Sequence, residues 1–120
     1  NGVRFVHNRA SISNLTTFHC IYIKRDEIKY SKLLMTFFLS SLSQKLLLDS
    51  SREYGGGLRK LEPNDFNSSP VPNYSSFDNK EIEYLLEIYE ECRSMHDMRK
   101  PITRIVKELD DFYQSKLSRL

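Results

Sequence analysis

The stretch YGGGLRKLEPNDFNSSPVPN, residues 54–73, divides the chain into two parts with different patterns. Its three glycines lead into a short apolar and basic segment, which predicts a strand over Gly57–Leu61. Pro70 and Pro72 then favour extended backbone and exclude a helix. Residues 67–76, rich in Ser, Asn and Pro, therefore have the composition of a linker between two structured segments.

The part before this stretch has the pattern of a small sheet packed on a buried helix. Val3–Ala10 alternates between two faces, and Phe18–Lys24 is rich in aromatic and β-branched residues, so both are predicted strands. Ser31 can cap a helix that runs to about Ser50. The apolar side chains of residues 33–48 cover most sides of this helix, which indicates burial on most sides. Its serines are small, which allows close packing against the sheet.

The part after the stretch has the pattern of two helices. Asp78 followed by Glu81 resembles a capping box at the start of the first helix. Pro101 suits the first position of the second helix. Apolar residues recur at helical spacing in both, at Ile82, Leu85, Leu86, Tyr89, Cys92, Ile102, Ile105, Val106, Leu109, Phe112, Tyr113, Leu117 and Leu120. The predicted fold class is therefore α+β: a small mixed sheet packed on a buried helix in residues 1–72, followed by an antiparallel helical hairpin in residues 73–120.

Length and composition favour a piece of a longer protein. A chain of 120 residues corresponds to roughly one domain, and its hydrophobic content of 39% is a little low for a compact one. Asn1 stands where an initiator Met is expected. No segment is long and apolar enough to span a bilayer, and no secretory signal is visible. Cys20 and Cys92 match no disulfide framework or zinc motif, which favours free thiols in a reducing cytoplasm.

The charge is unevenly distributed along the chain. The formal net charge is +2, with ten Lys/Arg against six Asp/Glu in residues 1–72 and eight against ten in residues 73–120. A basic surface neutralises phosphates and releases counterions, which gives affinity for nucleic acid without sequence preference. The excess is modest, and a solvated surface explains it as well.

Several segments together resemble the C-terminal target-recognition region of adenine-N6 DNA methyltransferases from bacterial restriction–modification systems. They are the glycine-to-proline run at residues 54–73, a His-Asn-Arg strand at His7–Arg9, a Phe-His-Cys-Ile-Tyr-Ile strand at Phe18–Ile23, and the apolar, serine-rich helix at Leu33–Leu48. The resemblance implies a cytoplasmic protein whose partners are double-stranded DNA and an upstream catalytic domain of the same protein. It also implies that this catalytic domain uses S-adenosylmethionine as its cofactor.

The glycine triplet and the residues after it are the first candidate site. The backbone amides of Gly55, Gly56 and Gly57 can approach a phosphate because no Cβ is in the way, and Arg59 and Lys60 could add charge-assisted contacts. The alternative is a tight turn or bulge that needs positive φ. The spacing matches neither a Walker loop nor a dinucleotide fingerprint.

Two further groups could contact DNA. His7, Asn8 and Arg9 lie together on a predicted strand, where Asn and Arg can each form two hydrogen bonds to a base edge, and where all three could also face solvent. A basic cluster surrounds the start of the first predicted helix and could contact phosphates or form a solvated edge. This cluster consists of Lys24, Arg25, Lys29 and Lys32.

The chain lacks the motifs of methyl transfer. It contains no Asn/Asp-Pro-Pro-Tyr/Phe tetrapeptide, which in the resembled family holds the flipped adenine, and no glycine-rich loop for S-adenosylmethionine. Cys92 and His96 share a helix face, but two ligands are too few for a structural zinc site. We therefore expect no catalytic residues, no metal and no cofactor in this segment.

Two classes of function remain open from the sequence. The chain is either the DNA target-recognition part of such a methyltransferase, or a helical module for protein assembly and self-association that does not contact DNA. A continuous basic face would favour the first class, and a large bare apolar patch on the late helices would favour the second.

Overall fold

The structure is a computed structural model that describes residues 5, 7, 28–50, 52–54, 58–60 and 70–117, without the side chains of residues 50, 52–54 and 58–60. Four α-helices account for most of this part. They are α1 (Ile28–Leu39), α2 (Ser41–Ser50), α3 (Asn79–Asp97) and α4 (Thr103–Leu117). Two short strands, β1 (Arg52–Tyr54) and β2 (Leu58–Lys60), form an antiparallel hairpin, and a 3-10 turn covers Tyr74–Ser76. In the described ranges no helix is both long enough and apolar enough to cross a lipid bilayer.

The predicted α+β fold with a mixed sheet is wrong. In the described part of the chain, β structure is limited to this two-stranded hairpin, and the helices pack on one another. The strand predicted at Phe18–Lys24 lies outside the described residues. Of the strand predicted at Val3–Ala10, only Phe5 and His7 are described, and neither lies in a helix or a strand. An apolar helix surface indicates burial but does not specify the covering element, which for α1 is a pair of helices.

The apolar segment predicted as a single helix is two helices separated at Ser40. The Ser40 hydroxyl donates to the Phe37 carbonyl at 2.5 Å and accepts from the Ser43 amide at 3.3 Å. Ser40 thus occupies the N-cap position of α2, where a side-chain oxygen commonly satisfies the amide three residues on. Ser43 in turn donates to the Ser40 carbonyl at 2.8 Å. The serines of this segment therefore terminate one helix and start the next, because their hydroxyls compete with the backbone for hydrogen bonds.

Asp110, which lies on α4, completes the start of α2. The Ser41 amide donates to its Oδ1 at 2.5 Å, and the Ser41 hydroxyl donates to its Oδ2 at 2.7 Å. The first amides of a helix have no partner within the helix, and a carboxylate at the N-terminus also complements the helix dipole. The direction of α2 is therefore coupled to α4, 69 residues further along the chain.

The two late helices are present, with capping that the sequence partly predicts. Asp78 and Glu81 form the complete capping box of α3: the Glu81 amide donates to Asp78 Oδ1 at 2.8 Å, and the Asp78 amide donates to Glu81 Oε1 at 3.0 Å. The second helix begins at Thr103, two residues after Pro101. The helices run antiparallel, as shown by contacts between Glu81 and Lys116, between Tyr84 and Phe112, and between Glu91 and Arg104.

The core lies where α1 packs against both late helices. It draws residues from both sides of the predicted boundary at residue 72, so in the described part of the chain the two segments share one core. Its buried members are Leu33, Phe37, Tyr74, Phe77, Leu85, Ile88, Ile105, Leu109 and Tyr113.

A polar network of three hydroxyls lies inside this core. Thr36 and Tyr74 both donate to the Leu33 carbonyl, at 2.6 and 2.9 Å, and the Tyr113 hydroxyl lies 2.8 Å from Thr36 Oγ1 and 2.9 Å from the Tyr74 hydroxyl. Buried hydroxyls are costly unless they are hydrogen-bonded, and each of these three has partners. Burial raises the pKa of Tyr113 to about 12, against the lowering effect of the hydrogen bonds from Thr36 and Tyr74. Burial likewise raises the pKa of Tyr74 above its ordinary value. Tyr74 therefore fixes the end of the predicted linker to the helices.

Candidate nucleic-acid interface

The β1–β2 hairpin carries the glycine triplet and the basic residues that follow it. The register pairs Arg52 with Lys60, Glu53 with Arg59, and Tyr54 with Leu58. Residues 55–57 connect the two strands, and their conformation lies outside the described residues. The connection is a three-residue hairpin loop by length, a type in which glycine commonly supplies a positive φ. This position is the one expected of a tight turn, and phosphate contact by the triplet stays a prediction.

The hairpin follows α2 almost directly. Helix α2 ends at Ser50 and strand β1 begins at Arg52, so a single residue separates them. Because Ser40 and Asp110 fix the start of α2, they also influence where the hairpin lies.

His7, the described member of the predicted base-contact strand, packs against α3. Its Nδ1 lies 2.7 Å from the hydroxyl of buried Tyr89, and the two rings meet edge to face with centroids 5.7 Å apart. Phe5 stacks on Phe38 of α1, with ring centroids 4.0 Å apart. These contacts attach the N-terminal segment to the helices. Asn8 and Arg9 lie outside the described residues, and base contact by the three residues stays a prediction.

The two described lysines of the predicted basic cluster have different surroundings. Lys32 Nζ lies 2.7 Å from Glu90 Oε1 and 5.4 Å from the centre of the Tyr89 ring, and its side chain is only 21% exposed. A phosphate that approached Lys32 would have to compete with Glu90. Lys29 is exposed near the start of α1 and has no ion-pair partner among the described residues. Lys24 and Arg25 lie outside the described residues, and phosphate contact by this cluster stays a prediction.

Other cations of the late helices are mostly neutralised by carboxylates. Arg104 pairs with Glu91 and Glu108, Lys107 with Asp111, and Lys116 with Glu81. The hydrogen bond and charge of Glu91 raise the pKa of Arg104, so its guanidinium stays charged at any ordinary pH. These pairs tie α3 to α4 and reinforce α4, and they leave little free positive charge along the body of α4.

The turn between α3 and α4 differs from these helix bodies, and the sequence analysis did not single it out. Arg99 and Lys100 lie in this turn and are exposed to solvent. Arg93, which precedes them on α3, is also exposed. None of these three cations has an ion-pair partner in the described ranges. The sequence signal that could have identified this turn is the pair of adjacent basic residues directly before Pro101.

The described residues do not show the apolar patch that would favour the assembly alternative. The large hydrophobic side chains that are most exposed lie on separate segments: Ile28 on α1, Leu48 on α2, Val71 before the 3-10 turn, Tyr84 on α3, and Met98 after it. Tyr84 also contacts Phe112, with ring centroids 5.3 Å apart. Hydrophobic residues that are exposed singly are ordinary for a soluble surface.

The described part of the chain also holds no group of three or more His, Cys, Asp or Glu residues that could bind a metal ion. Cys92 is half-buried, and burial, followed by the charge of Glu91, raises the pKa of its thiol. A raised pKa lowers the thiolate fraction, which is the nucleophilic form. Cys92 therefore contributes to packing and has the properties of an unreactive thiol.

Comparison with known proteins relates the chain to the C-terminal domain of a type II methyltransferase. The family described as the C-terminal domain of Type II methyltransferase M.Eco57I matches residues 1–111. Type II methyltransferase M.AccI of Acinetobacter calcoaceticus is 32% identical over 120 residues, which cover 98% of this chain and 22% of that protein. No solved structure shows a significant match.

The chain therefore belongs to the family of the M.Eco57I methyltransferase C-terminal domain. The resemblance drawn from the glycine-to-proline run and the upstream segments is confirmed at the level of this family. The chain spans about a fifth of the length of the relative that it matches.

Proposed function

We propose that this chain is the DNA target-recognition part of a site-specific adenine-N6 DNA methyltransferase of a restriction–modification system. The observation that carries the proposal is the match of residues 1–111 to the C-terminal domain of a type II methyltransferase. In this proposal the chain contacts duplex DNA. A catalytic domain elsewhere in the same protein binds S-adenosylmethionine and transfers the methyl group.

The division of labour follows from the motifs that the chain lacks. Methyl transfer to adenine in the resembled enzymes requires a pocket for the flipped base and a loop for the cofactor. Neither motif occurs in the 120 residues. A domain without them can still determine where methylation occurs, because it can hold the duplex and contact base edges while the chemistry takes place elsewhere.

The hairpin register distinguishes the two basic residues that were predicted to contact phosphate. Residues directly opposite each other in an antiparallel pair are neighbours on one face. The register pairs Arg59 with the acidic residue Glu53, whereas it pairs Lys60 with the basic residue Arg52. A position where two basic residues are paired in register carries more positive charge than one where a basic residue is paired with an acidic one, and it is the better candidate for a phosphate. The register therefore favours Lys60, together with Arg52, as the phosphate contact of the hairpin.

The test measures binding of duplex DNA by the intact protein that contains these residues. Fluorescence anisotropy over a range of salt concentrations gives the slope of log K against log[salt], which reports the number of phosphate contacts. Lys60→Ala should weaken binding to all duplexes alike and reduce the magnitude of this slope by about 0.9. Arg59→Ala should have a smaller effect, because Glu53 is its cross-strand partner.

Lys80→Ala is the matched control, since Lys80 is an exposed cation on α3 without an ion-pair partner among the described residues. The control should bind like the wild type. If the double replacement of Arg59 and Lys60 leaves both affinity and salt slope unchanged, the hairpin has a structural role only. If the intact wild-type protein does not bind duplex DNA, the proposed function is wrong.

A further inference from the structure

We propose that the turn between α3 and α4 is a second contact to the phosphate backbone of duplex DNA, made by Arg99 and Lys100, with exposed Arg93 preceding them on α3. This inference rests on the proposed function, because it takes duplex DNA as the partner. It concerns a surface separate in sequence from the hairpin and from the predicted N-terminal contacts.

Two hydrogen bonds hold the backbone of the turn in one conformation. The Lys100 amide donates to the Met95 carbonyl at 2.8 Å, and the Arg99 amide donates to the His96 carbonyl at 2.9 Å. These are the two hydrogen bonds of a Schellman motif, which closes the C-terminal end of a helix. The turn therefore presents Arg99 and Lys100 from a fixed backbone, and little ordering remains to be done when a ligand binds.

The residue at position 99 is unusual for its backbone conformation. Arg99 has φ 56°, in the left-handed region that a Schellman motif requires after the helix. Glycine is the residue that this position favours, because a Cβ is disfavoured there. An arginine at such a position costs conformational energy, which points to a role for its side chain.

The cations at the turn are not paired with carboxylates. Arg93, Arg99 and Lys100 are exposed and have no ion-pair partner among the described residues, whereas Arg104, Lys107 and Lys116 of α4 are all paired. An open groove at the turn is lined by His96, Asp97, Arg99, Lys100 and Pro101. This lining contains the carboxylate of Asp97 and the two basic side chains of Arg99 and Lys100.

These properties fit the backbone of a duplex. Phosphates are recognised by Arg and Lys side chains from exposed, preorganised backbone, and such contacts set the position of a protein on DNA without reading its sequence. A solvent-exposed turn with adjacent cations offers this chemistry. We therefore expect the turn to contribute affinity equally to every duplex.

The experiment uses the intact protein and the combined replacement Arg99→Gly and Lys100→Gln. Glycine removes the charge while it favours the backbone geometry of the turn, so the variant should fold at least as well as the wild type. Lys80→Gln, at the other end of α3 and roughly 30 Å away for a helix of this length, is the matched control. Circular dichroism and thermal unfolding confirm that all three proteins are folded before they are compared.

Binding to a 20-base-pair duplex of arbitrary sequence is measured by anisotropy at several salt concentrations. The proposal predicts that the double variant loses affinity, and that the magnitude of its salt slope falls by roughly 1.8, or 0.9 for each lost phosphate contact. The control should keep the wild-type slope, and sequence preference should not change in either variant.

Three other outcomes would overturn the inference. If the wild type binds duplex DNA and the double variant keeps its affinity and slope, the turn makes no phosphate contact and the proposed function stands. An equal loss in Lys80→Gln would mean that the effect is one of net charge and not of this turn. A wild-type protein that does not bind duplex DNA would overturn the inference and the proposed function together.

Discussion

Replacing Asp110 with Ala tests whether α4 caps the start of α2. Asp110 accepts two hydrogen bonds from Ser41, at 2.5 and 2.7 Å, and so completes the start of α2 from a different helix. Loss of an N-terminal cap typically costs about 1 kcal/mol, with a range of roughly 0.5–2 kcal/mol. In the variant, the Ser43 amide still donates to Ser40, so the replacement removes only the hydrogen bonds from Ser41. We expect a loss of about 1 kcal/mol in the free energy of unfolding.

Asp111→Ala is the matched control for this replacement. It removes the same charge from the adjacent position of α4, but Asp111 makes only a surface pair with Lys107, with side chains 70% and 78% exposed. Such pairs contribute about 0.3–0.5 kcal/mol. Urea denaturation followed by circular dichroism at 222 nm gives both free energies of unfolding, and the Asp110 variant should be the less stable.

Hydrogen exchange locates the effect. The Ser41 amide loses its acceptor, so its exchange should accelerate in the Asp110 variant by about fivefold, which corresponds to the expected loss of about 1 kcal/mol. Equal stability of the Asp110 and Asp111 variants, with no change in exchange at the start of α2, would refute the conclusion that α4 caps α2.

Three further predictions follow from the same structure. The free energy of unfolding should fall above pH 10 by about 1.4 kcal/mol per pH unit for each of Tyr74 and Tyr113. The pKa of each tyrosine is raised in the folded state. Its contribution to stability is therefore complete below the unfolded pKa of about 10 and is lost as the pH rises towards the folded pKa. Urea titrations at pH 8 to 11 check this, and the double Phe variant should show a flatter dependence, whereas an unchanged dependence would contradict the buried network. Arg99→Gly should stabilise the chain by about 1 kcal/mol because it relieves the left-handed conformation, and a destabilised variant in thermal unfolding would count against the Schellman geometry. The 120 residues alone should not transfer methyl groups to DNA, and calorimetry that detects tight binding of S-adenosylmethionine to them would contradict the assignment of catalysis to another domain.

Local sequence signals predicted those features that depend on neighbouring residues. The capping box of α3 requires only Asp78 and Glu81, three residues apart, and it is present as predicted. The stripes that predicted the two late helices likewise depend on local spacing, and they supply Leu85, Ile105 and Leu109 to the core. The predicted start of α4 at Pro101 was two residues early, within the usual uncertainty of helix ends.

Features that depend on distant residues were missed. The end of α1 at Ser40 could not be distinguished from a continuous helix, because the carboxylate of Asp110 that supports the start of α2 lies on α4. Tyr74 lies in a segment with the composition of a linker. Its burial depends on hydrogen bonds to the Leu33 carbonyl and to Tyr113, which are distant in the sequence. The mixed sheet was a wrong inference from strand-like segments and an apolar helix, because the pattern of that helix does not reveal what covers it.

The sequence predicted which residues could form the candidate site, but not how these residues are arranged. The sequence indicated residue types that could contact DNA, yet it did not indicate that Glu90 pairs with Lys32 or that the register sets Arg52 opposite Lys60. Both facts depend on contacts between elements. The basic turn at Arg99 was not singled out, because the sequence does not show which cations elsewhere are paired.

The central claim is that this chain selects the DNA site at which its protein acts, and enrichment of duplexes from a random library by the intact protein tests it most directly. The account predicts that the wild-type protein enriches one sequence motif. Replacing Arg9 with Ala should relax the preference at one base pair, at a cost of roughly 1–3 kcal/mol. The Lys60→Ala variant should keep the motif and bind all duplexes more weakly. Enrichment of no motif by the wild-type protein, or a motif unaffected by replacement of His7, Asn8 and Arg9 together, would contradict the account.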